Sequence, residues 1–431
     1  MTATMIRAAG ALAILAISAL PACAQNLERR VSGAPSGNVT FHFASRPTVC
    51  GDGKSYFRSD SDNWYGSFNY YNDGMSRASP CEAGPIRVTL YRDGRDLVRI
   101  QTYAGPLATE PNTTDLGAVR VQDAVDYLMG IASTVDGRPA RDALLPAMLA
   151  DSVSSTRELL ALAKDPLRSR DVRRNALSWL VRRRGEPGGM TAAEVSRTLT
   201  TIARDETENR DVRGQAVSSL ARLETGDGLS AVVAMSQETG DSWLAARSVQ
   251  ELANSGDPRS RTPLRAAAER TDLSEEARVQ AIQGIAGQYS TSKDGEFLRG
   301  LYRRVSSERL HDAVMSGVAQ IGGSESRDWM LAIAKNADEP VQARKRAISL
   351  ADRIGMTAAD LTRLYDTITD NEVQATIISE LAQNGTRVAS DKLIAIAKSD
   401  PSASNRRRAI QALGRFDDQR VKDLLKELVA R

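Results

Sequence analysis

The chain has 431 residues, and 57 basic against 54 acidic residues leave a net charge of +3. That balance excludes a strongly basic nucleic-acid binder as the default class. With two histidines (His42, His311) and three cysteines (Cys23, Cys50, Cys81), a zinc-finger array is excluded and a His-rich metal centre is disfavoured.

Residues 1–24 read as an export signal. Arg7 is followed by the apolar run from Ala8 to Leu20, then by small residues at Ala22 and Ala24. The apolar run is too short to cross a bilayer as a helix, which takes about 20 residues. Two processing routes fit. Ala22 and Ala24 suit an ordinary signal peptidase, which would leave Gln25 first. Leu20-Pro21-Ala22-Cys23 resembles a bacterial lipobox, which would make Cys23 a lipidation site, although proline is unusual at its place there. The expected location is the periplasm or the exterior, or, by the second route, a membrane-anchored lipoprotein.

Residues 25–105 read as a small β-rich domain. Val39, Phe41 and Phe43 alternate with Thr40 and His42, the period of a strand with one buried face. Ile86, Val88 and Leu90 repeat the pattern. Asp93-Gly94 supplies a hairpin turn, and Val98, Ile100 and Thr102 give the return strand. Cys50 and Cys81 flank a Gly/Ser/Asn-rich loop, and in an exported chain the simplest reading is a disulfide. Inside that loop Trp64, Tyr65, Tyr70 and Tyr71 lie among Asn and Gly. They fit either the core of a small β-domain or a surface that stacks on sugars or a peptide.

Residues 106–154 read as a linker with an N-terminal helical cap, a helix pair at 121–133 and 141–150. From residue 155 onward two helix types alternate. The first ends in a recurring phrase: Leu162-Ala163-Lys164-Asp165, Ile202-Ala203-Arg204-Asp205, Ile333-Ala334-Lys335 and Ile396-Ala397-Lys398. The second opens on Asp171-Val172-Arg173, Asp211-Val212-Arg213, Ala277-Arg278 or Ala343-Arg344. The Asp that precedes this helix, Asp171 or Asp211, is expected to cap its exposed N–H groups and to favour its positive dipole end. A small residue follows at Ala176, Ala216, Ser248, Ala281, Ala313, Ala347 and Ala409, with Ile377 in the same series. Small residues at a fixed place let helices cross closely. The one long interval holds Gly185-Glu186-Pro187-Gly188-Gly189, a turn insertion, before a capping box at Thr191–Glu194.

The Asp-Val-Arg phrases with Ala176 and Leu180, and with Ala216 and Leu220, resemble the HEAT-like repeat family, in the short form of phycocyanobilin lyase-type proteins. The resemblance spans residues ~155–415. Ala245, Arg309 and Gln374 depart from the phrase. The fold it implies is mostly α: an α-solenoid of about eight helical-hairpin repeats, residues 155–431 with a C-terminal capping helix. The small β-rich, disulfide-bonded domain precedes it, making the chain α+β overall. The lyase activity of that family depends on contacts that framework residues do not encode, so it is not carried over.

No serine-hydrolase elbow, phosphate loop, zinc-protease motif or dinucleotide fingerprint occurs in the sequence. No catalytic residue, cofactor or metal ligand is therefore named. Arg182-Arg183-Arg184 and Arg406-Arg407-Arg408 read as helix-face and helix-end charge, with binding of phosphate or an acidic partner as the alternative. The leading expectation is a non-catalytic scaffold of the bacterial cell envelope that binds a protein or peptide along its repeats. The alternatives are a carbohydrate- or peptidoglycan-binding protein using residues 64–71, and an envelope enzyme with a carboxylate site that no motif marks. Nucleic acid is not an expected partner, and the identity of any partner is open.

Overall fold

A computed structural model describes residues 24–54, 56–59, 63–66, 81–223 and 226–429. The chain divides into two compact units, one ending at Ser219 and one beginning at Leu220.

The first unit opens with helix α1 (Ala24–Gly33), which the sequence reading missed. Leu27 and Val31, four residues apart and both buried, form its inner face. Eight strands follow: β1 (Asn38–Phe43), β2 (Cys50–Gly51), β3 (Tyr56–Ser59), β4 (Asn63–Gly66), β5 (Glu82–Ala83), β6 (Ile86–Asp93), β7 (Asp96–Ala104) and β8 (Thr113–Ala118). One sheet has the order β7-β6-β1-β8, the other β4-β3-β2-β5. The expected strands are in place. Phe41 faces Val88 across the antiparallel β1/β6 pair, and both are fully buried. β8 arises within the segment read as linker and pairs parallel to β1.

Cys50 and Cys81 form a disulfide across a separation of 31 residues. Arg87 ties the larger sheet to the smaller one. It is buried, its Nη1 lies 2.6 Å from Glu110 Oε1, and its Nη2 donates to the Gly53 carbonyl at 2.9 Å. Its guanidinium sits 4.1 Å from the Tyr103 ring centre. Gly105 has φ +109°, and a Cβ there would come within 2.5 Å of the Gly51 carbonyl oxygen. Only glycine fits that turn.

Three helical hairpins complete the first unit: α2 (Val121–Thr134) with α3 (Arg138–Met148), α4 (Thr156–Lys164) with α5 (Arg170–Arg182), and α6 (Ala192–Arg204) with α7 (Arg210–Ala221), whose last residues cross the unit boundary. The β region is fastened to them. Arg46 donates its backbone N–H to the Leu149 carbonyl and its Nε to Met148, and pairs with Glu186 at 2.9 Å. The cap of α5 is Ser169, not Asp171; its Oγ accepts from Val172 N at 3.4 Å. The expected capping box at Thr191 and Glu194 is present.

The second unit stacks six more hairpins: α8 (Gly226–Ser236) with α9 (Ser242–Ser255), α10 (Arg261–Glu269) with α11 (Glu275–Ile285), α12 (Ser292–Tyr302) with α13 (Glu308–Ile321), α14 (Gly323–Lys335) with α15 (Val341–Arg353), α16 (Ala358–Thr367) with α17 (Asn371–Asn384), and α18 (Arg387–Ser399) with α19 (Ala403–Leu413). Helix α20 (Gln419–Val429) closes the array, its Val421 buried. One pair cannot bury its apolar faces alone, so each packs on the next. The second helices α9, α11, α13, α15, α17 and α19 contact one another in succession.

The buried position seven residues after each cap is Ser248, Ala281, Val314, Ala347, Ile377 and Ala409. In α13 the register is therefore one residue later than expected: Val314 is buried and Ala313 only half-buried. Gly284 marks the close approach of α9 and α11, since a Cβ there would lie 2.7 Å from Ala253 Cα and Cβ.

Candidate functional site

The repeated arginine has a structural task. Nε of Arg173, Arg213, Arg278 and Arg344 donates to the carbonyls of Ala163, Ala203, Ala268 and Ala334 at 3.0, 2.8, 3.0 and 3.0 Å. Each acceptor lies in the last turn of the preceding helix, where carbonyls lack helical partners and the dipole favours a cation. Other residue types fill the same place in divergent repeats. His311 Nε2 lies 3.0 Å from the Tyr302 carbonyl oxygen, and Gln374 donates to Ile368 at 2.7 Å. Ala245 has no such group. There Arg270 donates to Ser236 at 2.5 Å and to Glu238 at 2.8 Å. These side chains are framework, and His311, its ring tilted against that of Tyr302 at 4.4 Å, belongs to it.

The arginine clusters divide between framework and surface. Arg182 and Arg183 lie over the Trp179 ring at 4.9 and 5.5 Å, and Arg184 donates to the Val181 carbonyl at 2.7 Å. Arg406 donates to the Asp400 carbonyl at 2.6 Å. Arg407 and Arg408 are exposed.

The aromatic loop is described in part. Trp64 and Tyr65 lie on β4, with Arg58 and Phe57 as their register partners on β3. Tyr70 and Tyr71 lie outside the described residues, as does Cys23.

Two carboxylates influence each other in the second unit. Asp352 on α15 is half-buried; burial, and then the negative charge of Glu380 on α17, raise its pKa above the usual carboxylate value. Ser349 Oγ donates to Glu380 Oε1 at 2.6 Å. Among the described residues no group of three or more His, Cys, Asp and Glu could hold a metal ion.

What the repeats do offer is a face. Nine residues after each cap, α9 to α19 present Gln250, Gln283, Ser316, Ser349, Ser379 and Gln411, all exposed or half-exposed. The core position two residues earlier points the other way, as a helical period requires. The C-terminal part of this face is hollowed into a groove of ≈ 670 Å³ across α15, α17 and α19.

Stacked helical hairpins with a shared second-helix face define the α-solenoid class of repeat protein. The helical array is HEAT-like: residues 359–431 match the family of HEAT repeats, and the same hairpin recurs upstream of the match. No curated protein matches the chain. Human deoxyhypusine hydroxylase in complex with glycerol is similar over 61% of this chain and 96% of its own, at 16% identity and a TM-score of 0.26. The CpcE–CpcF complex of phycocyanin lyase from Nostoc sp. PCC7120 is similar over 63% and 94%, at 14% identity and a TM-score of 0.27. Lipovitellin is similar over 79% and 40%, at 13% identity and a TM-score of 0.41. At these scores the likenesses carry no argument about activity.

Proposed function

We propose that this chain is a non-catalytic interaction scaffold of the bacterial cell envelope, exported by residues 1–24, and that it binds a protein partner on the second-helix face. The observation that carries the reading is the hydroxyl and amide series from Gln250 to Gln411 on consecutive packed helices. Hydroxyl and amide groups both donate and accept, so they match a polypeptide's alternating N–H and C=O groups. The Cys50–Cys81 disulfide supports an oxidising compartment. No helix among the described residues is long and apolar enough to cross a membrane.

The test is crosslinking of the tagged full chain in the cell that makes it, followed by fractionation and mass spectrometry. The reading expects one recurrent partner in the envelope fraction. Residence in the cytoplasm, or no recurrent partner, would remove it.

A further inference from the structure

The groove across α15, α17 and α19 is lined by a mixture of short and long side chains. Ala375, Thr376, Ser379 and Ala382 of α17 line it together with Lys345 of α15, Arg408 and Gln411 of α19, and Arg415 of the turn that follows α19.

Both cationic neighbours of Lys345 are engaged elsewhere, as is Arg406, two residues from Arg408, while Arg407 is exposed. Arg344 is bound to the Ala334 carbonyl, Arg346 to Ser316 Oγ at 3.3 Å, and Arg406 to Asp400. Lys345, Arg408 and Arg415 line the groove, and no carboxylate among the described residues is within ion-pair distance of them. With Lys345, Arg408 and Arg415 set against Glu372 alone, the lining carries a net positive charge. Glu372 lines the same groove, so the field is not uniformly positive.

We infer that this groove binds an acidic polypeptide segment in extended conformation, its carboxylates paired with Lys345, Arg408 and Arg415. The assignment rests on the scaffold reading and names the chemistry of its partner. Three features select a peptide. Thr376, Ser379, Gln383 and Gln411 offer both donors and acceptors to a peptide backbone. No aromatic side chain lines the groove, so neither bases nor sugar rings find a stacking platform. Glu372 repels a continuous phosphate backbone but tolerates carboxylates spaced along a chain.

The experiment is fluorescence anisotropy with the full chain and a labelled Gly-Glu-Ser repeat peptide. Gly-Gln-Ser and Gly-Lys-Ser repeats and a single-stranded DNA oligonucleotide serve as comparisons. The acidic peptide is expected to bind best, more weakly as salt is raised. The K345E/R408E/R415E variant is expected to weaken it by about tenfold or more. Circular dichroism reports whether that variant is folded; if it is not, Lys345→Gln and Arg408→Gln singly carry the same expectation at smaller size. Equal binding by variant and parent, or preference for the neutral peptide or the DNA, overturns the assignment. A partner crosslinked in the cell whose capture the triple substitution leaves unchanged also overturns it, with the scaffold reading intact. Failure to find any cellular partner strikes the scaffold reading instead.

Discussion

Arg213 Nε lies 2.8 Å from the carbonyl oxygen of Ala203, ten residues earlier. This one contact explains why an arginine recurs four residues after the second-helix cap. The guanidinium closes the end of the first helix and fixes the angle at which the second helix returns. Because carbonyls at the end of the first helix can also be met by histidine, glutamine or an arginine from the next loop, the phrase varies while the hairpin does not.

Loss of such a contact leaves a buried carbonyl without its partner. Arg344→Ala is expected to lower stability by about 1–3 kcal/mol, read as a fall in the urea midpoint. Arg270→Ala should act similarly, because it serves Ser236 and Glu238 where Ala245 has no reach. Exposed Arg303→Ala is the comparison and should change little. An Arg344→Ala midpoint equal to the parent's would contradict the framework role.

Gly284 packs against Ala253 with no room for a methyl group. Gly284→Ala is expected to destabilise the second unit by about 1–3 kcal/mol despite its better helix propensity. Thermal unfolding checks the sign: the helix-propensity term alone would raise Tm.

The Cys50–Cys81 bridge closes 31 residues of chain beside a sheet of two- to four-residue strands. Removing it as Cys50→Ser/Cys81→Ser is expected to cost about 3–4 kcal/mol in the chain-entropy description. Limited proteolysis under reducing conditions should then cut within residues 50–85 first. Unchanged resistance would argue against the bridge as the support of that sheet.

Two carboxylates give opposite pH signatures. The Thr357 hydroxyl, and then its backbone N–H, hold Asp360 down to about 2 at the cap of α16. A depressed folded pKa contributes stability above the unfolded value of about 3.9, and that contribution is lost as pH falls through the folded one. The stability gap between parent and Asp360→Asn should therefore be full at neutral pH and close in acid. Asp352 is raised by burial and by Glu380. There the parent loses stability as pH rises through the interval between the unfolded and folded values. Asp352→Asn should be more stable than the parent at neutral pH, with the gain disappearing in acid. Denaturant midpoints across the pH range read both signs, and parallel curves would contradict them.

The repeats were legible because their framework is local. An alanine at the end of one helix and an arginine ten residues on are fixed by a single hairpin, so spacing alone exposes them. Val314 slipped by one because Ala313 is the small residue and the core accepts valine there. β8 escaped because Thr113–Ala118 carries no apolar alternation, and its pairing with β1 is non-local and parallel. The groove had no sequence signature. Lys345 and Arg346 are adjacent cations, and only the packing of α13 beside α15 separates the one bound to Ser316 from the one facing the hollow. Gln411 and Ser379, 32 residues apart, join one face only once α17 and α19 are stacked.

The most direct test of the central claim is site-specific photo-crosslinking in the producing cell. A crosslinking residue is placed in turn at Gln283, Ser379 and Gln411 on the second-helix face, and at Arg303, Lys335 and Lys398, which are exposed on or beside first helices. The account predicts that the first three capture the same partner and the second three do not. Equal capture from both sets, or capture from the first-helix positions alone, would contradict it.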